Sequence, residues 1–128
     1  MAEDNQHRIV YIEDDQDMID LVTAVLARDN FEVVGVKEGH EGIERVRQVK
    51  PSVILLDLML PDISGWAVYQ SLKQEPDLSD IPVIVVTARG APIDKVLGEH
   101  IAKVQAYIVK PFGTQNLRNS VKRVLGIA

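Results

Sequence analysis

The chain has 128 residues, a net charge of -5 and 46% hydrophobic residues, enough apolar material for the core of one domain and too little length for a second. The absence of cysteine excludes disulfide frameworks, thiolate metal sites and cysteine nucleophiles, and 5% aromatics argues against base-stacking surfaces. An acidic balance with no Lys/Arg stripe and no span-length apolar run leads us to expect a cytoplasmic protein with no direct nucleic-acid binding and no membrane partner.

Residues 8–12, RIVYI, read as a buried strand that ends at Glu13-Asp14-Asp15. From 16 to 28, Met18, Ile19, Val22, Val25 and Leu26 recur at helical spacing, with Asn30 as a left-handed stop. Residues 31–36 form a valine-rich second strand. The stretch 39–49 reads as an amphipathic helix on Ile43, Val46 and Val49, closed by Pro51, although two glycines near its start weaken the boundary. In 52–65, SVILLDLMLPDISG, the run Val53, Ile54, Leu55, Leu56 lacks polar alternation, which predicts a strand covered on both faces with Asp57 at its tip. Pro61 to Gly65 break the chain into a turn, and a helix over 66–74 follows on Val68, Tyr69 and Leu72, with Ser64 as its N-cap.

Residues 82–86 are another apolar strand, finishing at Thr87-Ala88. A weaker helix is expected over 93–101, then a short strand over 106–109 ending at Lys110-Pro111, and a closing helix over 115–125 with Leu117, Val121, Val124 and Leu125 inward. Five alternations of strand and helix predict an α/β fold, a parallel sheet with helices on both faces joined by right-handed crossovers. All strand ends then share one edge, which carries Glu13, Asp14, Asp57, Thr87 and Lys110.

Three carboxylates in one crevice repel one another unless a cation compensates them. Oxygen donors with no cysteine or placed histidine suit a hard ion, Mg2+ or Mn2+. A lysine ammonium and a threonine hydroxyl on the same rim provide the charge and the donor that a transferred phosphoryl group needs.

Four segments in order, IVYIEDD, VILLDLMLPDISG, IPVIVVTA and AYIVKPF, make the chain resemble the receiver domain of two-component response regulators over essentially its whole length. The resemblance implies a flavodoxin-like (βα)5 three-layer sandwich with a five-stranded parallel sheet in the order 2-1-3-4-5. It implies one receiver domain over 1–128, with its core at about 8–126, and no output domain in this chain. Asp57 is similar to the phosphoacceptor that attacks a phosphohistidine, and Glu13 and Asp14 resemble the acidic pair that holds Mg2+, with Asp57 and the carbonyl of Met59 completing the ligands. Asp15 would be a bystander.

Thr87 matches the hydroxyl that bonds the phosphoryl group, Lys110 the lysine that pairs with it, Ala88 the small residue beside the pocket and Pro111 the proline of a cis bond. Tyr107 sits at the aromatic switch position that follows Thr87. Trp66, Met18 and Phe112 are read as packing, and His7, His40 and His100 as surface residues. The implied activity is that of a self-phosphorylating switch, not a turnover enzyme. Its partners would be a sensor histidine kinase or phosphotransfer protein and a downstream protein target, met on a face near Lys95, Tyr107 and Lys110.

The chain departs from the family's commonest form in three places. Lys103-Val104-Gln105-Ala106-Tyr107 stands where GADDY is usual, and Ser120 stands where a dimerising DNA-binding regulator carries an arginine, so that mode of dimerisation is not expected. The stretch from Thr87 to Lys110 is about one residue longer. By the same resemblance, Met59 and Arg89 take positions that would flank the path of attacking water and are expected to slow dephosphorylation. A haloacid-dehalogenase-type phosphatase would want a second aspartate where Met59 stands, and a flavin carrier would want a phosphate cradle where EDDQD is anionic. A degenerate receiver acting only as a protein-binding module would leave the five-residue set unused.

Overall fold

Residues 9–12, 53–56 and 83–86 are unbroken apolar runs, and the structure buries them on both faces of a sheet. The computed structural model describes residues 6–88 and 106–127. Its strands are β1 (His7–Ile12), β2 (Phe31–Val36), β3 (Val53–Asp57), β4 (Val83–Ala88) and β5 (Ala106–Lys110). Its helices among the described residues are α1 (Gln16–Ala27), α2 (Gly39–Val49), α3 (Gly65–Gln74) and α4 (Thr114–Leu125). Every strand pair is parallel and the order is β2-β1-β3-β4-β5, the flavodoxin-like arrangement expected. The helix expected over 93–101 lies outside the described residues.

Side-chain alternation along the strands feeds two cores. Val10, Ile12, Ile54, Leu56, Val83 and Val85 meet α2 and α3, whereas Ile9, Tyr11, Val53, Leu55, Ile84 and Val86 meet α1 and α4. Register then aligns the strand ends, with Ile12 beside Leu56, Asp57 beside Val86, Thr87 beside Val109 and Ala88 beside Lys110.

The local reasons are specific. Asp15 caps α1 by accepting the Asp17 amide at 3.0 Å, and Asn30, at φ 65°, makes the left-handed turn into β2. Ser64 caps α3 by accepting the Ala67 amide at 3.2 Å. The two glycines of α2 are a packing requirement: a Cβ on Gly39 would fall 2.6 Å from Ile63, and one on Gly42 2.6 Å from Ile12. Ser120 is buried on the inner side of α4, so position 120 offers no side chain to a surface partner.

Candidate functional site

Asp57 leaves β3 with only 5% of its surface exposed, and both carboxylate oxygens are engaged. The Met59 amide donates to Oδ1 at 3.1 Å, and Lys110 Nζ lies 3.4 Å from Oδ2. Glu13, 1% exposed at the end of β1, is held harder still. Its Oε1 accepts Lys110 Nζ at 2.5 Å and the Tyr11 hydroxyl at 3.1 Å, and its Oε2 accepts the Asp15 amide at 3.2 Å. Lys110 reaches this position from the end of β5, and the Lys110–Pro111 bond is cis. Asp14 stays exposed on the rim.

One carboxylate oxygen from each of Glu13, Asp14 and Asp57 falls within 4.8 Å of the others, so one cation can reach all three. Partial desolvation on the rim, then the adjacent Glu13 carboxyl, raises the Asp14 pKa from its ordinary value. Burial opposes the Lys110 charge, but its hydrogen bond to Glu13 and the charge of Asp57 outweigh burial and raise the ammonium above its usual pKa. Burial and the Glu13 charge push the Tyr11 phenol far above its usual range, so it remains a donor.

Thr87 supplies a different signal. Its Oγ1 is buried with no hydrogen-bond partner among the described residues, a state that costs on the order of 1–3 kcal/mol unless a ligand or water satisfies it. An all-oxygen donor set with one ammonium and one unsatisfied hydroxyl fits a hard divalent cation beside an anionic group with acceptor oxygens.

Glu13, Asp14, Asp57 and Lys110 are thus brought together, with Thr87 one residue beyond the end of the Asp57–Val86 pairing. Met59 bonds Asp57 through its amide while its side chain is 57% exposed. Ala88 is exposed at the tip of β4 beside Lys110. Tyr107 is 41% exposed on β5, and its strand partner is Val85. Arg89, Lys95, His100 and residues 103–105 lie outside the described residues. Three contributors escape a reading of the sequence. Tyr11 bonds Glu13, Asp15 stays outside the group of acids one cation can reach but caps α1, and Asp62 accepts the Gly39 and His40 amides at 2.8 and 3.0 Å, capping α2 from the loop after β3. Two of them carry a sequence signal: a lone hydroxyl among the aliphatic residues of β1, and an aspartate directly before the first residue of α1.

A family model described as "Response regulator receiver domain" matches residues 9–122. Protein PilH of Pseudomonas aeruginosa is 30% identical over 118 residues, covering 92% of this chain and 97% of that protein. The DNA-binding dual master transcriptional regulator RpaA of Synechocystis is 35% identical over 92% of this chain, which spans 48% of RpaA. The chain likewise spans about half the length of the ycf27 transcriptional regulators of Porphyra purpurea and Pyropia yezoensis. Among solved structures, the signal receiver domain of a signal transduction histidine kinase from Syntrophus aciditrophicus superposes with a TM-score of 0.84 at 28% identity, covering 94% of this chain and 90% of that one. The receiver domain of sensor histidine kinase PA1611 from Pseudomonas aeruginosa, described with a magnesium ion coordinated in its active site cleft, shares the fold at a TM-score of 0.84 and 22% identity over 94% of this chain and 98% of that one.

Proposed function

The chain belongs to the response regulator receiver domain family, and from that premise we propose that it is a phosphoryl-accepting signalling switch with Asp57 as the acceptor. The observation that carries the reading is Lys110, whose ammonium lies between Glu13 at 2.5 Å and Asp57 at 3.4 Å, on the strand edge where the Thr87 hydroxyl is buried with no partner among the described residues. A carboxylate oxygen of Asp57 attacks the phosphorus of a phosphohistidine on a sensor histidine kinase or phosphotransfer protein. The O–P bond forms, the P–N bond breaks, and the imidazole leaves with the electron pair.

Glu13, Asp14 and Asp57, with the Met59 carbonyl, would hold Mg2+, which supplies positive charge to the phosphoryl oxygens. Lys110 pairs with the same oxygens, Thr87 donates its hydroxyl to one of them, and Ala88 leaves room beside them. Thr87 finds in that group the acceptor it lacks, and its movement is read out through Tyr107 on β5 to a downstream protein. The reaction consumes one site per phosphoryl group, so the protein is a switch and not a turnover enzyme. A cytoplasmic setting follows from a kinase partner, and among the described residues no helix is long and apolar enough to cross a membrane.

Incubation with acetyl phosphate and Mg2+ is expected to add one phosphate to the protein mass, and Asp57→Asn to abolish the addition. No addition to the unsubstituted protein overturns the reading.

A further inference from the structure

Tyr11 lies on β1 and Glu13 follows one residue beyond the strand's end, two positions along, where its carboxylate meets the Tyr11 hydroxyl. The Tyr11 ring is fully buried in the core shared by β1, β3, α1 and α4, which fixes where its hydroxyl stands. That hydroxyl meets Glu13 Oε1 at 3.1 Å, the same oxygen that receives Lys110 at 2.5 Å. Glu13 therefore has three donors: an ammonium it shares with Asp57, the Asp15 amide on Oε2, and a phenol held by the core. Lys110 divides itself between Glu13 and Asp57, so any anion that draws it toward Asp57 takes a donor from a carboxylate that is 1% exposed. A buried carboxylate oxygen stripped of its donors is costly.

We propose that Tyr11 is a positioning residue: its hydroxyl orients the Glu13 carboxylate for a divalent cation and keeps Oε1 partnered when Lys110 shifts toward a phosphoryl group on Asp57. This rests on the phosphoryl-acceptor reading of Asp57. Outer partners of metal-binding carboxylates fix their orientation, and their loss typically costs 10–100-fold in metal affinity. Phenylalanine keeps the ring and its packing while deleting the donor.

The test is Mn2+ titration of the full chain followed by electron paramagnetic resonance, in the parent, Tyr11→Phe, Glu13→Gln and the double variant. Tyr11→Phe is expected to weaken Mn2+ binding about tenfold, and to cause no further loss once Glu13 is glutamine, because the phenol acts through that carboxylate. A purely structural tyrosine would lower stability and add its effect to that of Glu13→Gln. Equal Mn2+ affinity in parent and Tyr11→Phe, or additive losses in the double variant, overturns the inference. If the parent binds Mn2+ and takes phosphate at Asp57 in that case, the acceptor reading stands without Tyr11; if the parent binds no Mn2+, both fall.

Discussion

Gly65→Ala tests how tightly the loop after β3 holds the acceptor. Gly65 opens α3, and its amide donates to the Leu58 carbonyl at 2.9 Å, which folds the helix start back onto the end of β3. A Cβ at 65 would lie 2.4 Å from the Asp57 carbonyl oxygen and 2.4 Å from Leu58 Cα. Both are backbone atoms, so no side-chain rotation relieves the clash. Ordinary contact begins near 3.4 Å, so the strand end and the helix start must separate by about 1 Å. Overpacking of this kind costs about 1–3 kcal/mol. The larger effect is on chemistry, because a displacement of about 1 Å at a reacting group can cost on the order of 100-fold in rate. The assay is the time course of phosphate addition from acetyl phosphate, followed by intact mass, beside urea denaturation of both proteins. A Gly65→Ala protein phosphorylated at the parental rate would refute the claim that close approach at 65 positions Asp57.

Other expectations follow from the ion pairs and caps. Arg118 holds Asp29 at 2.7 and 2.8 Å, Lys122 adds a second cation at 3.2 Å, and together they lower the Asp29 pKa to about 2. Because that pKa is depressed, its stabilisation is complete above the unfolded carboxylate value and is lost as pH falls toward about 2. Asp29→Asn should cost about 1–2 kcal/mol at neutral pH after allowance for solvent screening, and urea titrations should show the gap from the parent closing in acid; a gap that persists there would contradict the linkage. Asp62, whose pKa the His40 and Gly39 amides hold at about 2, caps α2, so Asp62→Ala should lower stability by about 1 kcal/mol. An unchanged urea midpoint would remove that role. Asp14→Ala should weaken Mg2+ binding measured by calorimetry, and unchanged affinity would place the metal elsewhere.

The parallel sheet and its functional edge were legible because the signals are local and redundant. Unbroken apolar runs end at Glu13, Asp57, Thr87 and Lys110, and parallel topology alone brings those ends together. The resemblance added roles to positions that the pattern had already gathered. What escaped depends on distance in the chain or on shape. Asp62 caps a helix that begins 23 residues earlier, and composition carries no trace of that pairing. Gly39 and Gly42 read as weak points in α2, yet they let it close onto Ile63 and Ile12. Ser120 reads as a surface substitution, whereas α4 turns it inward. Tyr11 reads as one more strand residue because nothing in its neighbours reveals which group its hydroxyl meets.

The central claim is that the phosphoryl group resides on Asp57. Borohydride reduces an acyl phosphate to an alcohol, which converts a phosphorylated aspartate to homoserine. Reduction of the acetyl phosphate-treated protein, followed by peptide mass spectrometry, is expected to find homoserine at position 57 and at no other aspartate. Homoserine at Asp14 or Asp15, or at no position in a protein that has gained phosphate, would contradict the account.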